Sequence, residues 1–143
     1  MSYVKKHAKS AWVSRGSPDR IVKKPWGTEV SWSGFGGIHG KTLYIMKDHR
    51  TSLKYHNLKN EVLFVRSGIA EAFFGDEFSM EDPTGHPMKI ETIKEGDLLM
   101  VQSGSPYRIT AVTDCEIIEI GNSLSDKPIR LEDDYGRFNS DKE

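Results

Sequence analysis

The chain has 143 residues, 36% of them hydrophobic and 29% charged, with a formal net charge of -1. That length suits one domain with a real core, and the balance excludes a disordered chain and, as a whole, a nucleic-acid-binding one. No apolar run approaches the ~20 residues of a membrane helix, residues 1–10 lack a secretory signal, and the single cysteine, Cys115, allows no internal disulfide and fits a reducing cytoplasm.

The chain starts with a basic stretch. Lys5, Lys6, Lys9, Arg15, Arg20, Lys23 and Lys24 stand against the one acid Asp19 in residues 1–24. Residues 1–22 are read as a solvated arm. From Trp26 onward short strands are expected at 26–33, 41–47, 52–56, 61–67, 69–74, 88–93, 98–102, 106–112 and 115–120. Period-two alternation marks several of them, as in Met88-Lys89-Ile90-Glu91-Thr92-Ile93. Glycine- and proline-rich punctuation separates them, including Ser67-Gly68, Glu95-Gly96-Asp97 and Ser103-Gly104-Ser105-Pro106. So many short strands without a 3.6-residue period predict an all-β sandwich or barrel, with the barrel over 23–121. Residues 122–143 hold the acids Glu132, Asp133, Asp134, Asp141 and Glu143 and are expected to cross its surface as a tail.

Two strand–turn–strand units carry the candidate chemistry. In the first, Ser52-Leu53-Lys54-Tyr55-His56 precedes a polar turn, and Glu61 opens the next strand. Alternation puts Lys54 on the same face as His56, so an imidazole, an ammonium and a carboxylate can share one pocket. The second unit, Gly96 to Tyr107, delivers Tyr107 on the face of Ile109 and Ala111, with Arg108 on the other. His39, His49 and His86 lie in turn-like segments and read as surface residues; Trp26, Trp32, Tyr44, Phe64, Phe73 and Phe74 read as core or seam.

The two units resemble the paired motifs of the cupin superfamily. More narrowly, Lys24-Pro25-Trp26-Gly27, Leu53-Lys54-Tyr55-His56 with Glu61, and Leu131-Glu132-Asp133-Asp134-Tyr135-Gly136-Arg137 resemble segments of the cupin domain of type II mannose-6-phosphate isomerases. That resemblance implies a single jelly-roll-like cupin barrel of two antiparallel sheets, a homodimer, and a sugar or sugar-phosphate ligand. It implies a metal held by glutamine, histidine, glutamate and a second histidine. Here His56 and Glu61 match, while Lys54 stands at the glutamine position and Tyr107 at the second histidine position. An ammonium has no lone pair for a metal, a neutral phenol is a poor ligand, and catalytic zinc sites keep about three protein ligands. The expectation is therefore no tightly bound metal, with Lys54 in the ion's place beside Glu61, Tyr107 donating a hydrogen bond, and Glu61 or His56 as base. Arg50 and Arg137 are the candidates for a substrate phosphate. The function expected is an aldose–ketose isomerase with an altered metal site. The alternatives are a carbohydrate-binding barrel without catalysis and a metal-independent isomerase or epimerase of nucleotide-linked sugars.

Overall fold

A computed structural model describes residues 12–18, 20–32, 34, 36–122 and 127–138; most of the basic arm lies outside them. The chain folds into strands β1 (Arg20–Lys24), β2 (Gly27–Ser31), β3 (His39–Ile45), β4 (Leu53–Tyr55), β5 (Glu61–Ser67), β6 (Ile69–Phe74), β7 (Lys89–Lys94), β8 (Leu98–Val101), β9 (Tyr107–Ala111), β10 (Cys115–Gly121) and β11 (Ile129–Glu132). There is no helix among the described residues, and so none long and apolar enough to cross a membrane. The strands form a six-stranded sheet, β1-β2-β3-β10-β5-β8, and a five-stranded sheet, β11-β4-β9-β6-β7, paired antiparallel throughout. This is the all-β architecture expected from the strand pattern, with the two antiparallel sheets that the family resemblance implies. β1 and β11 are additions to the expected set. Lys24 and Gly27 flank a tight turn that folds β1 back on β2, and β11 comes from the acidic tail, where it pairs with the short β4.

Alternation explains the interior. β5 buries Glu61, Leu63 and Val65 and exposes Val62 and Phe64; β10 buries Cys115, Ile117, Glu119 and Gly121. β9 turns Tyr107, Ile109 and Ala111 inward. Leu43, Ile45, Leu63, Val65, Ala70, Ala72, Ile93, Ile109, Ala111 and Ile117 make one apolar core with Trp26. Each such side chain contributes roughly 1.5–3 kcal/mol when fully buried, so this half of the barrel supplies most of the driving force. Gly68 joins β5 to β6 with φ 92, in the left-handed region, and a Cβ there would sit 2.3 Å from the Asp114 carbonyl oxygen. Only glycine closes that turn without displacing the start of β10.

The six-stranded sheet therefore changes character along its strands. The inward positions at one end of β2, β3, β5 and β10 are Glu29, His39, Lys41, Glu61 and Glu119, and the apolar core fills the other end. The polar end holds the candidate site.

Candidate functional site at the polar end of the barrel

Register brings the two sequence units together. Lys54 on β4 lies directly opposite Tyr107 on β9, and its Nζ stands 4.4 Å from the centre of the Tyr107 ring, within reach of a cation–π contact. His56 follows β4 immediately, and its carbonyl accepts the Gly104 N–H at 2.7 Å. Ser103 N–H donates to Asn60 Oδ1 at 2.8 Å, and Asn60 N–H donates to Asn122 Oδ1 at 2.9 Å. The turn of the second unit thus clamps the polar turn of the first, and that clamp aims His56 and Glu61 inward.

Glu61 is the hub. The Tyr107 hydroxyl donates to Glu61 Oε1 at 2.8 Å, and His56 Nε2 stands 3.4 Å from the same oxygen. Lys59 Nζ lies 3.2 Å from Glu61 Oε2 and 3.3 Å from Glu119 Oε2. The Lys59, Glu61 and Glu119 side chains are 5%, 1% and 7% exposed, so this cluster is effectively dry and its electrostatics are strong. The charges continue outward, with Lys41 facing Glu119 across the β3–β10 ladder. Lys41 Nζ lies 3.2 Å from Glu29 Oε1, and Lys24 Nζ 3.8 Å from Glu29 Oε2.

Burial and the neighbouring Glu119 charge push the Glu61 carboxyl up to about 7, against the pull of Lys59 and Lys54. Glu119 goes the other way. Burial would raise it, but Lys59 and Lys41 hold its carboxyl down at about 2. The two nearby carboxyls thus have separated affinities: Glu119 stays ionised, and Glu61 is the one that gains or loses its proton as pH passes through about 7. His39 is pushed below its ordinary value by burial and by Lys59.

Four of the residues expected from sequence meet here: Lys54, His56, Glu61 and Tyr107. Tyr107 donates a hydrogen bond whose acceptor is Glu61. The ammonium seated on the Glu61 carboxylate is that of Lys59, whereas Lys54 lies against the Tyr107 ring. The two candidate phosphate ligands are elsewhere. Arg50 makes a bidentate pair with Asp134, at 2.6 and 2.7 Å, beside Arg108 on the face of β9 away from Tyr107. Arg137 makes a bidentate pair with Asp133, at 2.9 Å for both bonds. Lys59, Glu119, Lys41 and Glu29 were not singled out from the sequence. Alternation from Cys115 and Ile117 points Glu119 inward, so that residue had a signal. Lys59 sits in a turn without periodicity and had none. His39, expected in a surface turn, is instead buried at the start of β3.

The residues do not fit a metal. Among the described residues no three His, Cys, Asp or Glu side chains converge to hold an ion. Both oxygens of Glu61 already face donors, the Tyr107 hydroxyl on one and the Lys59 ammonium on the other. A divalent ion beside Glu61 would have to sit against that ammonium.

The fold defines a class: the chain has the cupin fold. A cupin-domain stretch of oxalate decarboxylase from Bacillus subtilis superposes with a TM-score of 0.71 at 18% identity, over 87% of this chain and 34% of that one. CapF, solved with the inhibitor 3-isopropenyl-tropolone, gives 0.64 at 14% identity over 73% and 30%. KdgF from Halomonas sp. gives 0.61 at 10% identity over 74% and 87%. This chain therefore spans about a third of the length of oxalate decarboxylase and of CapF. No family model and no curated sequence matches it.

Proposed function

We propose that the polar end of the barrel is a metal-independent acid–base site that interconverts aldose and ketose forms of a small sugar or sugar phosphate. The observation that carries this reading is Glu61: a dry carboxyl poised near neutrality, with a phenol and an imidazole on its own oxygen. Isomerisation needs one group that takes a proton from the carbon beside a carbonyl and returns it to the neighbouring carbon. A base titrating near the working pH does this best. Ionised Glu61 takes the proton. The Tyr107 hydroxyl and His56 hold the substrate oxygens and pass the hydroxyl proton between them. The Lys54 and Lys59 ammoniums offset the charge of the enediolate, which in a dry site is worth far more than in water. The carbon-bound proton then returns from Glu61, so substrate and product differ only in where hydrogen sits.

Lys54 is half-buried while Glu61 and Tyr107 are closed to solvent, so a ligand would have to displace Lys54 and the Tyr107 ring to reach the carboxyl. Phosphate binding by Arg50 or Arg137 would require their pairs with Asp134 or Asp133 to open. The reading is tested by incubating chelator-treated protein with mannose 6-phosphate and fructose 6-phosphate and following interconversion. Stabilisation by these sugars without turnover would instead support a carbohydrate-binding barrel.

We also infer a homodimer formed through the outer face of the six-stranded sheet. Val62 opposes Met100 and Phe64 opposes Leu98 across the β5–β8 ladder, and Ile118 and Ile120 continue the row on β10. Met100 is 77% exposed and Leu98 56%, a run of apolar side chains of the kind that marks an interaction surface. β1 and β8 are also sheet edges that a second copy can cover.

A further inference from the structure

We propose that Lys59 is a built-in cation: its ammonium, held between Glu61 and Glu119, takes the place of a divalent ion and keeps one from binding there. Two carboxylates brought together out of water demand a positive charge between them, because an uncompensated buried charge costs several kcal/mol. A barrel of this kind can meet that demand with an imported ion or with a side chain. Here the chain provides a side chain. Lys59 Nζ contacts one oxygen of each glutamate at 3.2 and 3.3 Å, ordinary ammonium–carboxylate separations rather than the ~2.0–2.2 Å of an ion–oxygen bond. His56 Nε2 stands on the remaining Glu61 oxygen. The ammonium thus lies between two carboxylates, and the His56 imidazole stands on the other oxygen of one of them.

The surrounding fold is shaped to this lysine. Gly121 ends β10 directly opposite both Glu61 and His39. A Cβ at Gly121 would lie 2.5 Å from Lys59 Cε and 2.9 Å from His39 Nε2. The missing side chain is the space through which the Lys59 stem reaches the glutamates. Lys41 and Lys54 are further cations acting on the same carboxylates, and they add to the repulsion an entering ion would meet. The sequence resemblance had suggested Lys54 for this role; the ammonium seated on Glu61 belongs to Lys59.

The test is titration calorimetry with Co2+ and with Mn2+ on wild type, Lys59→Ala and Lys59→Ala/His56→Ala, together with the visible spectrum of Co2+. Wild type is expected to bind neither ion at this site. Lys59→Ala is expected to gain at least ~10-fold in affinity, with Co2+ absorption bands that the added His56→Ala change removes, since each lost ligand or its support costs ~10–100-fold. A Lys59→Ala protein that folds only when Co2+ is supplied gives the same support. Wild-type binding that Glu61→Gln abolishes would overturn the proposal. So would a folded Lys59→Ala that binds no more tightly than wild type. If Lys59→Ala stays unfolded with and without Co2+, Lys59→Gln is read by the same criteria, and the wild-type arm decides regardless. Because the readout is ion binding, the result stands apart from whether any sugar is turned over.

Discussion

The Tyr107 hydroxyl, at the start of β9, donates a 2.8 Å hydrogen bond to Glu61 Oε1 at the start of β5. One bond thus joins the two sheets at the polar end of the barrel. It also ties together the two sequence units in which candidate chemistry was first visible. Tyr107→Phe removes the donor and leaves Glu61 Oε1 short of a partner in a dry site. The expected cost is about 1–3 kcal/mol of stability, measured by urea unfolding. If the isomerase reading holds, turnover falls by roughly 10²-fold or more, the ordinary scale for loss of a positioned proton-transfer group.

The buried carboxyl pair predicts an unusual pH profile. Glu119 binds its proton more weakly folded than unfolded, so its share of stability grows as pH rises from about 2 through its usual range near 4.5. Glu61 binds its proton more tightly folded than unfolded. Its share is therefore present below about 4.5 and is lost as pH rises through about 7. Glu61→Gln should remove the loss between pH 5 and 7. The thermal midpoints of wild type and variant, measured across that range, should draw apart toward neutral pH, with the variant increasingly the more stable. Parallel curves would count against a raised Glu61.

The outer face of the six-stranded sheet gives a separable prediction. Leu98→Lys with Met100→Glu places charge on a face whose residues point away from the core, so the fold should survive. Sedimentation of the wild type should give twice the mass of one chain, and of the double variant a single chain. A wild-type monomer at micromolar concentration would remove the dimer from the account.

The tail holds β4, and through it Lys54. Arg130 on β11 pairs opposite Lys54, its Nη1 donates to the Arg137 carbonyl at 3.0 Å, and Arg137 grips Asp133 with both arms of its guanidinium. Burial would raise the Asp133 carboxyl, but the Arg137 guanidinium and backbone N–H hold it below the usual carboxylate range. Arg137→Ala should therefore loosen β11 more than Arg50→Ala, whose pair with Asp134 is about 40% exposed on both sides and worth about 0–1 kcal/mol. Amide exchange across Ile129–Glu132 should speed up several-fold in Arg137→Ala and little in Arg50→Ala.

The sequence disclosed those parts of the fold that follow a two-residue period. β5, β6 and β9 were expected within a residue of their observed ends, and the inward parity of Lys54, His56 and Tyr107 followed from the same rule. β1 and β11 lie in a basic stretch and an acidic stretch, where charge masks the alternation, and both were expected as surface segments. Lys59 was out of reach for a different reason. Whether a turn lysine points outward or back into a barrel depends on the Asn60, Ser103 and Asn122 clamp and on the missing side chain of Gly121, all of them long-range facts.

On the proposed function Glu61 moves a proton on carbon. Fructose 6-phosphate or mannose 6-phosphate in deuterium oxide, with chelator-treated protein, lets proton NMR count hydrogen lost from the carbon beside the carbonyl. Wild type is expected to incorporate deuterium and Glu61→Gln at least ~10²-fold less, with the fold of the variant intact by circular dichroism. Wild-type exchange no faster than the protein-free control, or equal exchange in the folded Glu61→Gln protein, would contradict it.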